Sequence, residues 1–218
     1  MVGGASPLCL SKASNANLSL PFYNLRSTIY NRWKGGAMQP TTDLGFRMVN
    51  VAAALPHDYS RAGVAWRPLS YIRNIVIHYP ADAGCEGGEL ARLTMLANYH
   101  LGKDWGDGYL GFGIMYHRVI EPSGVIYETQ PLELMTWHAH EPANTTGLAI
   151  MVDVPLGGQA TAAQQAALLA YLEHLTLHTP AIPVGVGDVY GHREMPHNST
   201  SCPGPVMALV EEWRKQHE

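Results

Sequence analysis

The chain alternates apolar, β-branched runs with helix-like segments over most of its length, and this alternation limits the folds open to it. Residues 73–79 and 147–154 have the apolar character of strands that are buried on both faces of a sheet. Residues 184–190 form a third, shorter run of the same kind. Strands and helices in this order predict an α/β fold, in which a central mixed β-sheet is flanked by helices.

The remaining segments predict helices and one hairpin. Residues 161–178 are rich in Ala and Leu and begin with Thr161, a residue type favoured at helix N-caps. Residues 113–120 and 125–128 flank the sequence Pro-Ser-Gly, which favours a turn, and so predict a β-hairpin. Helices are also predicted over residues 205–216 and over residues 86–101, where Leu90, Leu93, Ala97 and Leu101 share one face.

The composition excludes several classes of protein. Charged residues make up only 15% of the chain, against roughly 25% in typical soluble proteins, and the formal net charge is −4. Such a chain is not expected to bind nucleic acid through phosphate contacts. No apolar run approaches the ~20 residues of a membrane-spanning helix, so we expect no membrane association. A hydrophobic content of 46% argues against disorder, and three cysteines are too few for a disulfide scaffold.

Residues 1–49 differ from the rest of the chain, since they are rich in Ser, Asn and Gly and show no sustained apolar period. We expect them to form an N-terminal extension to a main domain that spans residues 50–218. The first ten residues carry no Lys or Arg before a short, interrupted apolar stretch, which makes a poor secretory signal. We therefore expect the protein to be made in the cytoplasm without a standard leader.

Imidazole and thiol side chains follow the predicted strands. His78 lies near the end of the first apolar run, His192 follows the third run and a glycine, and Cys202 precedes the last helix. The carboxyl ends of strands in α/β proteins line the crevice where ligands bind. Two imidazole nitrogens and one thiolate sulfur form a ligand set typical of zinc, with a fourth position open for water. Spacing alone leaves a hydrogen-bonded core histidine and a buried thiol as open alternatives.

Four stretches of sequence resemble the zinc-dependent N-acetylmuramoyl-L-alanine amidases, a family that includes amidase-type phage lysozymes and peptidoglycan recognition proteins. They are IVIHYPA, YHRVIEPSGVIYE, TWHAHEPANTTGLAI and GHREMPHNSTSCPG, and the resemblance extends over residues 55–218. It implies that residues 50–218 form a catalytic domain that cleaves the amide between N-acetylmuramic acid and L-alanine in bacterial peptidoglycan with a zinc-activated water. It also implies one zinc ion per chain, bound by His78, His192 and Cys202.

The resemblance assigns roles to residues around the metal as well. Tyr116 corresponds to a tyrosine at the carbonyl oxygen or the attacking water, and Thr200 to a residue that lines the scissile bond. His138 matches a histidine at the rim of the substrate groove. Tyr79 replaces the His or Asn usual at its position, and we interpret it as a groove residue. Asn144 either orients a substrate peptide or forms a turn.

Two positions bear on the kind of amidase. Members that recycle cytoplasmic muropeptides carry Asp in place of Cys202 and Glu in place of Ala149, so this chain is expected to act on intact cell wall. Non-catalytic recognition proteins lack the cysteine, which favours an enzyme over the alternative, a non-hydrolytic peptidoglycan-binding protein. We predict a bacteriolytic, antimicrobial phage or prophage endolysin that acts as a monomer and reaches the cell wall by lysis, by holin-like export or in association with a virion.

The extension carries a second, weaker resemblance. Residues 3–6, 24–33 and 43–49 resemble parts of the closing segment of a formylglycine-generating, sulfatase-modifying domain. That fold needs a much longer chain, so we interpret the extension as a remnant or a wall-contact segment. Of the other histidines, His197 is predicted to be exposed, while His117 and His140 either line the groove or lie on the surface.

Overall fold

Six strands form one mixed sheet in the computed structural model, which describes residues 45–217 apart from residues 81, 83, 85, 86 and 107. The strands are β1 (Arg47–Asn50), β2 (Asn74–His78), β3 (Arg118–Ile120), β4 (Val125–Glu128), β5 (Gly147–Val152) and β6 (Val189–Gly191). Their order across the sheet is β1-β4-β3-β5-β2-β6. The β3–β4 pair, the predicted hairpin, is antiparallel, and the other neighbouring pairs are parallel. The predicted α/β architecture is therefore confirmed.

Helices pack against both faces of this sheet. They are α1 (Glu89–Gly102), α2 (Ala143–Thr146), α3 (Ala162–Leu177) and α4 (Met207–His217). Thr161 caps α3 as expected, because its hydroxyl accepts from the Gln164 amide (3.1 Å) while the Gln164 side chain accepts from the Thr161 amide (3.0 Å). Within the part of the chain that the structure describes, no helix combines the length and apolar character needed to cross a membrane.

Alternate residues of the central strands pack in opposite directions. Ile75 and Ile77 of β2 belong to a buried cluster that also contains Leu168 of α3 and Val210 of α4. On the other face, Met151 of β5 lies in a second cluster with residues of α1. Because both faces are covered, the carboxyl edge of the parallel strands is the place where polar side chains can gather.

The buried face of α1 matches the predicted one only in part, since Leu93 and Ala97 are buried as predicted. Leu90 is 38% exposed, whereas Arg92 and His100 are buried. Polar contacts account for this orientation of the helix. Arg92 donates to both carboxylate oxygens of Asp153 (3.0 and 2.8 Å), and the Met115 amide donates to Nδ1 of His100 (3.2 Å). The hydrophobic periodicity of the sequence does not predict polar contacts of this kind, so it does not predict that Arg92 and His100 are buried.

Strand β1 crosses the boundary predicted at residue 50. It pairs in parallel with β4, and Phe46 packs against the core cluster of α3 and α4. The main domain therefore begins before residue 50. Residues 1–44, which include Cys9 and most of the segments of the second resemblance, lie outside the described residues, as does Cys85.

Strand β6 is shorter than the run of residues 184–190 that predicts it. Val186–Asp188 forms a 3-10 turn instead, because the Gly185 amide donates to Oδ2 of Asp188 (2.7 Å) and closes the chain locally. Only Val189 and Tyr190 of the run join β6, which pairs in parallel with β2 and places His192 beside the end of that strand.

Candidate metal centre

Three side chains from distant parts of the chain converge at the carboxyl edge of the sheet. His78 is the last residue of β2, and His192 directly follows β6, the parallel neighbour of β2. Cys202 lies in the segment that leads to α4, and its side chain is close to both histidines. One nitrogen of each imidazole and Sγ of Cys202 all lie within 4.8 Å of one another, and the described residues contain no other such group of three or more.

The thiol of Cys202 is held by nearby backbone. The Tyr79 amide donates to Sγ (3.4 Å), and Sγ lies 3.7 Å from Nδ1 of His78. The Arg193 amide donates to the Cys202 carbonyl (2.8 Å), which ties the cysteine to the segment after β6. Burial raises the pKa of this thiol to about 11, so it keeps its proton at neutral pH unless a cation binds the sulfur.

His78 is buried and neutral. Burial, followed by the neighbouring imidazoles of His138, His192 and His117, holds the pKa of His78 well below its usual value. A neutral imidazole carries a proton on one nitrogen and a lone pair on the other. Nε2 of His78 lies 3.0 Å from Nδ1 of His138. Nδ1, the nitrogen near the sulfur of Cys202, is therefore the one that faces the centre.

His192 is half-buried and has its own outer partner. Its Nε2 lies 2.7 Å from Oδ1 of Asn198, and since an amide oxygen only accepts, Nε2 carries the proton. Burial lowers the pKa of His192, while the hydrogen bond to Asn198 acts in the opposite direction. The lone pair of His192 is thus on Nδ1.

These residues fit a zinc ion. The ligand set contains two imidazole nitrogens and one sulfur, which zinc binds together, and three protein ligands leave a fourth position open. Each imidazole has one nitrogen engaged by an outer partner and one free, as is typical of metal-ligating histidines. The raised pKa of the Cys202 thiol adds a chemical reason, because coordination is what would make it a thiolate.

Tyr116 stands beside this centre. Its ring centroid lies 5.1 Å from that of His78 and 5.6 Å from that of His100. Burial, with a smaller effect from Cys202, raises the pKa of the phenol, so Tyr116 keeps its proton. None of the hydrogen bonds among the described residues engages this hydroxyl, so its proton is available to a bound molecule.

Thr200 precedes Cys202 by two residues and is exposed. Its Oγ1 accepts a hydrogen bond from the Cys202 amide (3.1 Å), which holds the hydroxyl close to the cysteine. Within the described part of the chain the hydroxyl proton has no acceptor. Thr200 can therefore act as a neutral donor beside the three converging ligands.

The residues predicted to line the groove have contacts within the domain. His138 is only 6% exposed and bonds to His78, so it does not lie at an open rim. The ring of Tyr79 covers Gly204, where an added Cβ would come within 2.7 Å of it. Oδ1 of Asn144 accepts from the backbone amide of Ala139 (2.8 Å). This local hydrogen bond agrees with the prediction that Asn144 forms a turn.

Arg67 and Asn198 contribute to the site although no motif in the sequence marks them. The guanidinium of Arg67 is buried and donates to the carbonyls of Asn144, Thr145 and Gly147, so it holds the end of α2 and the start of β5. Asn198 is the outer partner of His192. The only signal in the sequence for Asn198 is its position in the polar segment between His192 and Cys202.

Other histidines have structural roles or are exposed. His117 is a core residue, neither in a groove nor on the surface: its Nδ1 accepts from the Ala149 amide (3.0 Å), and its Nε2 donates to the Leu134 carbonyl (2.8 Å). His197 is exposed, as predicted, and His140 is exposed as well. Both ring nitrogens of the buried His117 imidazole make hydrogen bonds, so no lone pair is left for a metal.

A buried ionic cluster lies at the same edge of the sheet. Arg92 binds both oxygens of Asp153 and both oxygens of Asp82, and so links α1 to the segments that follow β5 and β2. Glu121, directly after β3, is 1% exposed. Burial, with the nearby Asp153, raises the pKa of Glu121 to about 9, so this carboxyl is neutral at pH 7.

Comparison with known proteins identifies the type of domain. The sequence model of the N-acetylmuramoyl-L-alanine amidase family (Amidase_2) matches residues 68–205. The fold is similar to N-acetylmuramoyl-L-alanine amidase LysC from Clostridium intestinale, at 21% identity and a TM-score of 0.52, with 76% of this chain and 96% of that chain covered. No curated protein sequence matches the chain significantly.

Two further structures share the fold. The endolysin of Thermus scotoductus bacteriophage Ph2119 is 22% identical, with a TM-score of 0.54 over 77% of this chain and 99% of that chain. A variant of Drosophila PGRP-LB, solved with tracheal cytotoxin, is 17% identical, with a TM-score of 0.58 over 78% of this chain and 97% of that chain. The predicted fold family is confirmed.

Proposed function

The chain belongs to the N-acetylmuramoyl-L-alanine amidase family, and we propose that it is a zinc-dependent hydrolase of bacterial peptidoglycan. The bond it would cleave is the amide between N-acetylmuramic acid and L-alanine. The observation that carries this proposal is the convergence of His78, His192 and Cys202. Hydrolysis requires a metal with a fourth position open for water, which three protein ligands provide, whereas recognition by surface contacts requires no such site.

The side chains around the centre suggest how the reaction would proceed. His78, His192 and Cys202 would hold one zinc ion per chain. When bound, zinc supplies Lewis acidity, which activates water as the nucleophile and polarises the scissile carbonyl. Tyr116 donates a hydrogen bond from its phenol to the carbonyl oxygen as negative charge develops there. Thr200 supplies a second, neutral donor at the scissile bond.

Peptidoglycan as the substrate is supported by the family match and by the structural neighbours. PGRP-LB was solved with tracheal cytotoxin bound, and the phage protein is an endolysin. We assign Asn144 and Tyr79 to the border of the substrate groove. The side-chain amide protons of Asn144 have no acceptor among the described residues and are free to meet a peptide carbonyl.

The cellular role we propose is that of a bacteriolytic phage or prophage endolysin. The likeness to a bacteriophage endolysin supports this role. The protein would reach the cell wall through lysis, holin-like export or association with a virion, and it would act as a monomer. The catalytic domain in this proposal comprises residues 50–218 together with strand β1, and the residues before it form an appended segment.

A wall-digestion assay tests the proposal. Purified protein is incubated with cell walls as isolated, with a chelator, and with the chelator followed by excess zinc. We expect release of new L-alanine amino termini, its loss with the chelator, and its return with zinc. Release that persists in the chelator with no zinc in the protein would contradict a metal-dependent amidase.

The alternative is a non-hydrolytic peptidoglycan-binding protein, and the likeness to PGRP-LB, solved with tracheal cytotoxin, is compatible with this function too. The same experiment separates the two functions if wall binding is measured by sedimentation in parallel. Binding that is undiminished by the chelator, with no new amino termini in any sample, would support the binding protein. Binding together with zinc-dependent release would support the enzyme.

A further inference from the structure

We infer that His138 and Asn198 are positioning residues that hold the two ligand imidazoles, each with Nδ1 presented to the metal. This inference rests on the proposed function, since it presupposes that His78 and His192 bind zinc. It changes the role expected for His138, from a substrate contact to a support for a ligand. It also gives a role to Asn198, which no motif singles out.

His138 contacts His78 through a nitrogen–nitrogen hydrogen bond. The distance from His78 Nε2 to His138 Nδ1 is 3.0 Å, and the two rings are perpendicular. One nitrogen of such a pair must donate and the other accept. Binding a metal beside the Cys202 sulfur requires the lone pair of His78 on Nδ1, so the proton is on Nε2 and His138 accepts it. This bond therefore selects both the tautomer and the rotation of the His78 ring.

The surroundings of His138 indicate that this contact is its main polar function. The side chain is 6% exposed, and an added Cβ on Gly147 would come within 3.0 Å of its ring, so the imidazole is tightly enclosed. Nε2 of His138 is buried near the backbone of Ala143 and Gly147, but makes no hydrogen bond of regular geometry with a described residue. Leaving a buried polar atom unpaired is unfavourable. A residue kept only for packing would avoid this arrangement, whereas a residue kept for its bond to His78 tolerates it.

Asn198 contacts His192 in the equivalent way, through the imidazole nitrogen Nε2. Its Oδ1 accepts from Nε2 of His192 (2.7 Å), and its Nδ2 donates to the Pro196 carbonyl (2.8 Å). The second bond sets which end of the amide faces the imidazole. His197 adopts a left-handed backbone conformation with φ of 63°, which turns the chain just before Asn198.

Both imidazoles thus have the same design, in which an acceptor outside the centre holds Nε2–H and frees Nδ1. Outer partners of this kind orient metal-ligating histidines, and their removal typically weakens metal binding 10- to 100-fold. A residue that touched only substrate would have no such effect. Zinc affinity, which is measured without any substrate, therefore distinguishes a positioning residue from a residue that contacts only substrate.

The experiment measures metal binding in Asn198→Leu and His138→Phe, which remove the acceptors at similar side-chain volume. Asn198→Asp is the conservative variant, since its carboxylate still accepts from His192. His197→Asn is the matched control, an exposed neighbour that tolerates the left-handed conformation. The readouts are zinc affinity, by competition with a chromogenic chelator, and the visible absorption spectrum of the Co²⁺-substituted protein.

We expect zinc affinity to fall roughly 10- to 100-fold in each acceptor-removing variant, with an altered Co²⁺ spectrum. Asn198→Asp and His197→Asn should keep both properties of the unmodified protein. Unchanged affinity and spectrum in Asn198→Leu and in folded His138→Phe would overturn the inference. If His138→Phe does not fold, the loop variant Asn198→Leu decides the outcome. Absence of zinc binding by the unmodified protein would instead overturn the proposed function.

Discussion

Sγ of Cys202 lies 3.7 Å from Nδ1 of His78, although 124 residues separate them in the chain. The pKa of the thiol is raised by burial, and the pKa of the imidazole is lowered by burial, so neither group is charged in the absence of a cation. Two neutral, converging ligands with His192 as a third form a site that is prepared for a metal ion.

Replacing Cys202 with Ser should abolish zinc binding and wall hydrolysis together. A serine hydroxyl is a poor zinc ligand in comparison with a thiolate, and only His78 and His192 would remain. Metal content per chain, measured by elemental analysis, should fall from one equivalent toward zero while the thermal unfolding of the metal-free protein is little changed. Full zinc occupancy in the variant would show that the ligand assignment is wrong.

Replacing Tyr116 with Phe should leave zinc in place and lower kcat by about 10²- to 10³-fold, the loss typical for one oxyanion donor. KM should change little, because the phenol is expected to act mainly on the developing charge. Tyr127→Phe is the control: its hydroxyl bonds to Glu89 (2.9 Å), so its loss should affect stability but not rate. A normal kcat in Tyr116→Phe would exclude its proposed role.

Zinc binding near neutral pH should release about one proton per chain. The pKa values of His78 and His192 are lowered, so both imidazoles are already neutral, whereas the Cys202 thiol, with a pKa of about 11, must lose its proton. Calorimetry in buffers of different ionisation enthalpy gives this number directly.

The same thiol proton sets the expected pH dependence. Zinc affinity should rise about tenfold per pH unit from pH 7 to 9, and activity should fall in acid as the metal is released. Release of no proton on binding would mean that the sulfur is not a ligand. Release of three would mean that both imidazoles are protonated before the metal binds.

Replacing Glu121 with Gln should make stability less dependent on pH. The native pKa of Glu121 is raised to about 9 from an ordinary value of 4.5, so the folded state holds a proton that the unfolded state loses. The stability this contributes is complete below pH 4.5 and is lost as pH rises through about 9. Glutamine keeps a neutral side chain throughout, so the variant should be the more stable protein at pH 9.

Thermal and denaturant unfolding between pH 5 and 9 measure this effect. Glu173→Gln, on the exposed side of α3, is the control and should follow the unmodified protein at every pH. An equal decline of stability toward pH 9 in Glu121→Gln and in the unmodified protein would place the pH-sensitive group elsewhere.

Local signals in the sequence predicted much of the fold. The apolar runs of β2 and β5 need no partner to be recognised, because burial on both faces requires apolar residues at every position. The start of α3 was also predictable, since Thr161 and Gln164 cap the helix through bonds between residues three apart. Strand β1 was missed because its four residues are too few to show a period.

The candidate site was predicted in part. His78, His192 and Cys202 stand out because each follows a predicted element and because together they match a family motif. The contacts of His138 could not be predicted, since a histidine on the substrate side and one bonded to a ligand look alike in sequence. The same holds for His117, whose core position depends on partners in β5 and in the chain after β4.

The sequence by itself determined the α/β class, the cap of α3, the β3–β4 turn, the family and the identity of the three converging side chains. These features depend on residue type, on periodicity and on neighbours within a few positions. The tertiary structure alone decided which nitrogen of each imidazole is free, because that depends on acceptors such as His138, 60 residues away from His78. His138 belongs to the loop between β4 and α2, so its contact with His78 depends on how that loop folds against the end of β2 and not on any local pattern in the sequence.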